Sequence, residues 1–214
     1  MDLGRPLTVV TPTVDADVLM ILAGAETSFT GRQVQQVSGR HSEKGVRNTL
    51  HRLCSQGIVV RERVGSADLY TLNRAHLAAV HIQALADLRS ELLQRISALL
   101  NAWEVSPAFA AMFGTAARGG MRPDSDIDLL VVRSDEVSAE DEGWGDQLAN
   151  LSERVTAWTG NDTRVLELSV AEVGAGLADD EQVLTDIRAE GIVLYGSTSY
   201  LRPPPRRRGQ APRG

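Results

Sequence analysis

The sequence predicts a mixed α/β (α+β) chain built in two parts and joined by a long helix. Three observations carry this. Residues 1–74 hold three short helix-period segments followed by two strand-like runs, and residues 75–103 keep one apolar helical stripe without a break. Residues 104–201 alternate short apolar runs with capped helical segments, as strands and helices in turn require.

In the first part, DADVLMILAGAE (15–26) places Val18, Leu19, Ile21 and Leu22 within one helical face, and Gly24 ends it. Thr30 and Gln33 stand in capping-box spacing, where hydroxyl and amide side chains satisfy backbone donors reciprocally, and open a second short helix that stops near Gly39. Ser42 caps a third helix that runs to Gly57. After it, IVVRERVGSADLYTLN (58–73) reads as two strands joined around Gly65 and Ser66. On the third helix Val46, Leu50 and Leu53 fall within about 60° of one another, while Lys44, Arg47, Asn48, His51, Arg52 and Ser55 gather opposite. One face is core. The other is a stripe of cations and hydrogen-bond donors, suited to phosphates and base edges.

With its hairpin, this tri-helical segment resembles a winged helix-turn-helix DNA-binding domain. The resemblance assigns DNA contact to Arg40, Lys44, Arg47, Asn48, His51 and Arg52 around the third helix, and to Arg61 and Arg63 on the hairpin. Winged helices also serve as protein-docking or dimerisation modules, and the segment holds only nine Lys/Arg against seven Asp/Glu. Cys54, on the flank of the third helix, reads as a small packing residue.

Residues 75–103 form the connecting helix, with Leu85, Leu88, Leu92, Ile96 and Leu99 recurring at spacings of three and four. A helix of about 29 residues would reach roughly 43 Å. Its stripe is covered either by the chain's own domains or by a second copy, which would make a homodimer and a two-fold DNA reader.

Composition excludes several classes. The chain has 214 residues, of which 43% are hydrophobic and 23% charged, an ordinary globular balance. One cysteine rules out an intrachain disulfide framework, and the four histidines show no metal-ligand spacing with it, which fits a reducing cytoplasm. No basic leader and no run of about 18 uncharged apolar residues occurs, so neither export nor membrane insertion is expected. The net charge of -6 is unevenly spread: residues 75–201 carry eight Lys/Arg against twenty-one Asp/Glu, and residues 202–214 carry five against none. This asymmetry marks either separate tasks or solvated faces. The basic, proline-rich end, RPPPRRRGQAPRG (202–214), is expected to be disordered, touching nucleic acid or simply solubilising.

In the last hundred residues, PAFAAMF (107–113), IDLLVV (127–132), TRVLELS (163–169) and GIVLYG (191–196) read as strands. Ser138 is the expected cap of a helix reaching Gly160, and Ser169 with Glu172 forms a second capping box. Period-two geometry puts Asp126 and Asp128 on one side of their strand, with Ile127 and Leu129 on the other. Two such anions held close are unfavourable unless a divalent cation or a shared proton relieves them, and Mg²⁺ is the natural partner. At Gly114 and Thr115 a strand passes into a helix, where free backbone N–H groups and the Thr115 hydroxyl can hold phosphate oxygens. Glycine there lets phosphate approach the main chain.

Gly114-Thr115, ten residues, then Asp126-Ile-Asp128 resembles the nucleotidyltransferase superfamily that includes DNA polymerase beta, aminoglycoside nucleotidyltransferases and the minimal nucleotidyltransferases of bacterial antitoxins. The family pattern is Gly-Ser, ten intervening residues, then Asp-x-Asp, and Thr for Ser keeps the hydroxyl. The resemblance covers about residues 104–201. It implies a polymerase beta-like sheet with flanking helices and Mg²⁺-dependent transfer of a nucleoside monophosphate from an NTP, ATP above all, to a hydroxyl. Asp126 and Asp128 would hold the metal, and Gly114 and Thr115 the outer phosphates. The family's third carboxylate has its best candidate in Glu167, one methylene longer than the usual aspartate, which otherwise is a charged residue at a sheet edge. Arg118 either touches phosphate or pairs with an acid such as Asp124. Trp103, Trp144 and Trp158 either stack on a base or seal a core.

These readings combine into a cytoplasmic protein in which a DNA-binding domain of the transcription-regulator kind accompanies a nucleotidyltransferase acting on a partner protein or a small molecule. Two alternatives stand beside it. One is a transcriptional regulator whose second domain only senses nucleotide; the other is an antibiotic-type small-molecule nucleotidyltransferase.

Overall fold

The computed structural model describes residues 1–202, so the tail beyond Arg202 lies outside the described residues. The chain divides into two compact units, Met1–Glu91 and a second from Leu92 onward. The sequence-read borders at 74 and 104 fall on either side of that division. Both units mix helices with a sheet, giving the α+β class.

After a short 3-10 helix at Pro6–Val9, the first unit holds α1 (Val14–Ala23), β1 (Phe29–Thr30), α2 (Gly31–Ser38) and α3 (Glu43–Ser55). The Thr30–Gln33 capping box is formed in both directions, and Gly39 closes α2 in the left-handed conformation. Ser42 caps α3 through the Gly45 amide at 3.1 Å. A hairpin follows, β2 (Val59–Val64) and β3 (Ala67–Leu72), and β1 adds to the far side of β3, an edge too short to read from periodicity. Val46, Leu50 and Leu53 join Val18, Leu22 and Val34 in one core. Asp17, buried on α1, pairs through both oxygens with Arg5 (2.8 and 2.6 Å) and makes a 2.5 Å hydrogen bond with His41. Burial pushes the Asp17 carboxyl up, but its hydrogen bonds with Arg5 and His41 outweigh burial and hold it below the ordinary value. The N-terminal segment, α1 and the α2–α3 turn are thereby tied together.

The run expected as one connecting helix is two helices, α4 (Ala79–Ala86) and α5 (Leu88–Asn101). Side chains compete with helix formation at its start: Asn73 Oδ1 accepts from the Ala75 amide and His76 Nδ1 from the Ala78 amide. At Asp87 the backbone leaves helical geometry (φ -97°, ψ 9°), and its amide is shared between Gln83 and Ala84 carbonyls. Within the stripe, Leu88 and Leu99 are half-buried. Leu85 packs on the first unit's core, and Leu92, Ile96 and Leu100 are buried.

The second unit continues with β4 (Phe109–Phe113), α6 (Gly114–Arg118), β5 (Ile127–Arg133), α7 (Glu142–Thr159) and β6 (Thr163–Ser169). It closes with α8 (Val170–Ala178), α9 (Gln182–Glu190) and β7 (Ile192–Gly196). The strand order is β6-β5-β4-β7, with β5 and β6 parallel and the other pairs antiparallel. The four strands match those read from the sequence, but α7 starts later than expected. Asp141, not Ser138, is its cap, accepting from the Trp144 amide at 2.8 Å, while Ser138 closes a local turn on Glu140. The Ser169–Glu172 capping box opens α8. Trp103 and Trp144 are buried and pack edge to face, so these two rings seal structure, while half-buried Trp158 lies under Arg95. Among the described residues no helix is long and apolar enough to cross a membrane.

Candidate functional site

The central feature is the entry to β5. Buried Ile127 separates half-buried Asp126 from half-buried Asp128, as alternation along a strand demands. In the register of β5 with β4, Asp128 stands opposite Phe113, the last residue before α6. Gly114 follows at a φ of +68°, and a Cβ built there would lie 2.6 Å from Asp128 Oδ2. Only the absence of a side chain lets the carboxylate rest against the start of α6. Thr115 is exposed, and the residue before the helix, Phe113, makes no side-chain cap hydrogen bond.

The loop leading into the pair is anchored from below. Asn161, buried at the end of α7, donates through Nδ2 to the carbonyls of Pro123 (3.0 Å) and Ser125 (2.9 Å), and the Ile127 amide reaches the Asp162 carbonyl at 2.8 Å. Burial, then the neighbouring Asp126 charge, push the Asp128 carboxyl up, and Arg164 draws it partly back. Two carboxylates held together, beside a glycine whose Cβ would fill the gap, form a donor set that suits one hard divalent cation.

The third carboxylate is a correction. β5 and β6 pair with Val131 opposite Glu167 and Asp128 opposite Arg164, so Glu167 lies on the other face of the sheet from the aspartates. There it accepts from Arg133 Nε at 2.7 Å, while Arg133 Nη1 donates to the Val137 carbonyl. Among the described residues no three His, Cys, Asp or Glu side chains are placed to hold a metal ion. The position beside the pair belongs to Arg164, whose Nη2 lies 2.7 Å from Asp126 Oδ2. Sequence reasoning passed over Arg164, because only the strand register brings it to that face. Arg118 is also placed differently: it pairs with Glu190 of α9 at 2.9 Å rather than with Asp124.

On the first unit, Arg40, Lys44, Arg47, Asn48 and His51 stand exposed on and before α3, with Arg61 and Arg63 exposed on β2. Arg47, His51 and Arg61 line a hollow of about 410 Å³ between α3 and the hairpin. Arg52 departs from this set. It is exposed too, but it is held by an ion pair with Asp15 of α1 and donates to Gln56 at 3.0 Å. Arg63 is engaged with Asp68 at 3.3 Å. Cys54 packs on the core, and burial, ahead of the opposing Arg61 charge, pushes its thiol up.

A model of the nucleotidyltransferase domain family matches residues 90–172, a span that contains Gly114, Thr115, Asp126 and Asp128. A search of curated proteins found no match. Among solved structures the chain is similar to a toxin–antitoxin complex with AMP-PNP (16% identity, 51% of this chain and 77% of that one, TM-score 0.37). It is also similar to a mutant of the toxin–antitoxin MntA–HpeT (13% identity, 51% and 76%, TM-score 0.36). A third likeness is to TrmBL2, an archaeal chromatin protein solved to show a mode of DNA binding (13% identity, 83% and 72%, TM-score 0.28). None of the three is close enough to bear on what this chain binds or does.

Proposed function

We propose that the second unit is a nucleotidyltransferase that moves a nucleoside monophosphate from an NTP to a hydroxyl acceptor. One observation carries this reading: Asp126 and Asp128 share an edge with Gly114, whose missing side chain leaves Asp128 against the first turn of α6. The family match over residues 90–172 supports it. Asp126 and Asp128 would hold Mg²⁺, which supplies charge neutralisation for the triphosphate and for the α-phosphorus as its bonds change. Gly114 and Thr115 offer first-turn amides and a hydroxyl to the outer phosphates. Asn161 fixes the loop that delivers the aspartates, so the carboxylates need little rearrangement on binding. In the reaction the acceptor oxygen bonds to the α-phosphorus, the bond to the pyrophosphate oxygen breaks and the hydroxyl proton is released. In the antitoxin relatives that the sequence resembles, the acceptor is a tyrosine of a partner toxin, and a protein hydroxyl is the acceptor proposed here by that analogy.

The first unit, with its exposed cationic α3 and hairpin, is proposed as a winged helix that binds DNA, placing regulation of transcription and nucleotidyl transfer on one chain. A second reading is favoured by a specific observation. Arg164, and not a third carboxylate, adjoins the pair, which suits a domain that binds nucleotide as a sensor without transferring it.

The test is incubation of the full chain with α-labelled NTPs and Mg²⁺, with and without cell lysate. Transfer of label with release of pyrophosphate, abolished by Asp126→Asn with Asp128→Asn, is the expected outcome. Magnesium-dependent NTP binding without transfer to any acceptor would establish the sensor, and no NTP binding by calorimetry would overturn both readings.

A further inference from the structure

Arg164 sits where its charge matters most. Its strand runs parallel to β5, its register partner is Asp128, and its guanidinium lies 2.7 Å from Asp126 Oδ2. The two carboxylates it meets repel each other, so a cation at this edge, or a proton shared between them, relieves the pair. Arg164 supplies that cation from within the chain. Its side chain is 72% exposed, however, against 27% for Asp126, so no packing holds the guanidinium down and the long side chain is free to swing. An exposed ion pair of this kind contributes little, weak enough to be displaced by a divalent ion. Once displaced, the guanidinium remains tethered at the β6 end of the same edge, within reach of any polyanion bound beside the pair. Its planar fork suits phosphate oxygens.

We infer that Arg164 is a resident counter-cation for the Asp126–Asp128 pair that yields to a divalent metal and passes to the phosphates of the nucleotide arriving with it. This rests on the nucleotide-binding reading above and deepens it. The exchange makes metal binding and nucleotide binding interdependent. Metal alone must displace an arginine that has nowhere better to go, whereas metal with a triphosphate gives that arginine a new anion. The pair is then filled by substrate-borne metal in preference to free ion. The arginine also stands in, on this face, for the cationic charge that a third carboxylate would recruit as a second metal.

The full-length chain is titrated with Mn²⁺ alone, followed by electron paramagnetic resonance. It is then titrated with a non-hydrolysable ATP analogue in saturating Mg²⁺, followed by calorimetry. Arg164→Ala is expected to bind Mn²⁺ alone about threefold more tightly and the Mg²⁺–analogue about tenfold more weakly, two changes of opposite sign that a merely structural role would not produce. Arg164→Lys keeps the charge without the fork, and is expected to leave Mn²⁺ affinity near that of the unmodified chain while still weakening the analogue. The residue is exposed, so a thermal midpoint within a few degrees of the parent confirms that each variant is folded. Mn²⁺ affinity unchanged or weakened in Arg164→Ala, or analogue affinity unchanged, would overturn the inference while leaving the site intact. If the unmodified chain binds no Mg²⁺–analogue, and Asp126→Asn does not alter Mn²⁺ uptake, the nucleotide-binding reading fails and the inference with it.

Discussion

At Gly114 the chain has least freedom to change. Two physical demands meet there: a φ of +68°, which side chains disfavour, and an approach to Asp128 that a Cβ would close to 2.6 Å. Gly119, at the other end of α6, has a similar φ of +72° but open space around it. The two glycines therefore separate conformational strain from steric conflict. Alanine in the left-handed region costs roughly 1–2 kcal/mol, so both Gly114→Ala and Gly119→Ala should lower the melting temperature by several degrees. Only Gly114→Ala should push Asp128 aside and weaken Mg²⁺–nucleotide binding by tenfold or more. Calorimetry on the two variants side by side checks this, and equal nucleotide affinity in both would contradict the role given to the glycine.

At the scale of elements, α3 is the informative case. Helical periodicity divides it into a buried row of Val46, Leu50 and Leu53 and an exposed row, and the structure agrees. Periodicity does not show what an exposed cation touches. Arg47 faces the hollow beside the hairpin, whereas Arg52 is drawn to Asp15 of α1. If the first unit binds DNA, Arg47→Ala should weaken that binding and reduce the slope of log affinity against log salt by about one. Arg52→Ala should leave the slope unchanged and lower thermal stability slightly instead, since it takes the cation from Asp15 and leaves it the Thr13 hydroxyl. A gel-shift salt series paired with thermal melts distinguishes them, and an equal loss of slope in both variants would return Arg52 to the DNA face. Similar local chemistry sets element ends: Asp141 displaces Ser138 as the cap of α7, and Asp87 interrupts the long helical run.

For the molecule as a whole, two units with separate apolar cores imply separate stabilities. Scanning calorimetry of the full chain should resolve two transitions. Mg²⁺ with a non-hydrolysable ATP analogue should raise one and duplex DNA the other, each by mass action on the unit that binds it. Both ligands raising the same transition would place the two sites on one unit and undo this division of labour.

Much of this architecture was legible in the residues. Capping boxes at Thr30–Gln33 and Ser169–Glu172, the hairpin around Gly65, the spans of β4 to β7 and the shared side of Asp126 and Asp128 all follow from interactions within a few residues, which periodicity and side-chain chemistry dictate. The pairing of β5 with β6 does not. It joins segments separated by all of α7, and a slip of one residue would exchange the faces of every side chain on β6. No local preference sets that register; it comes from packing half-buried Leu166 and Leu168 against the core that holds Leu130 and Val132. Only tertiary packing therefore decided that Glu167 turns away to Arg133 and that Arg164, unremarkable in the sequence, stands against the aspartates.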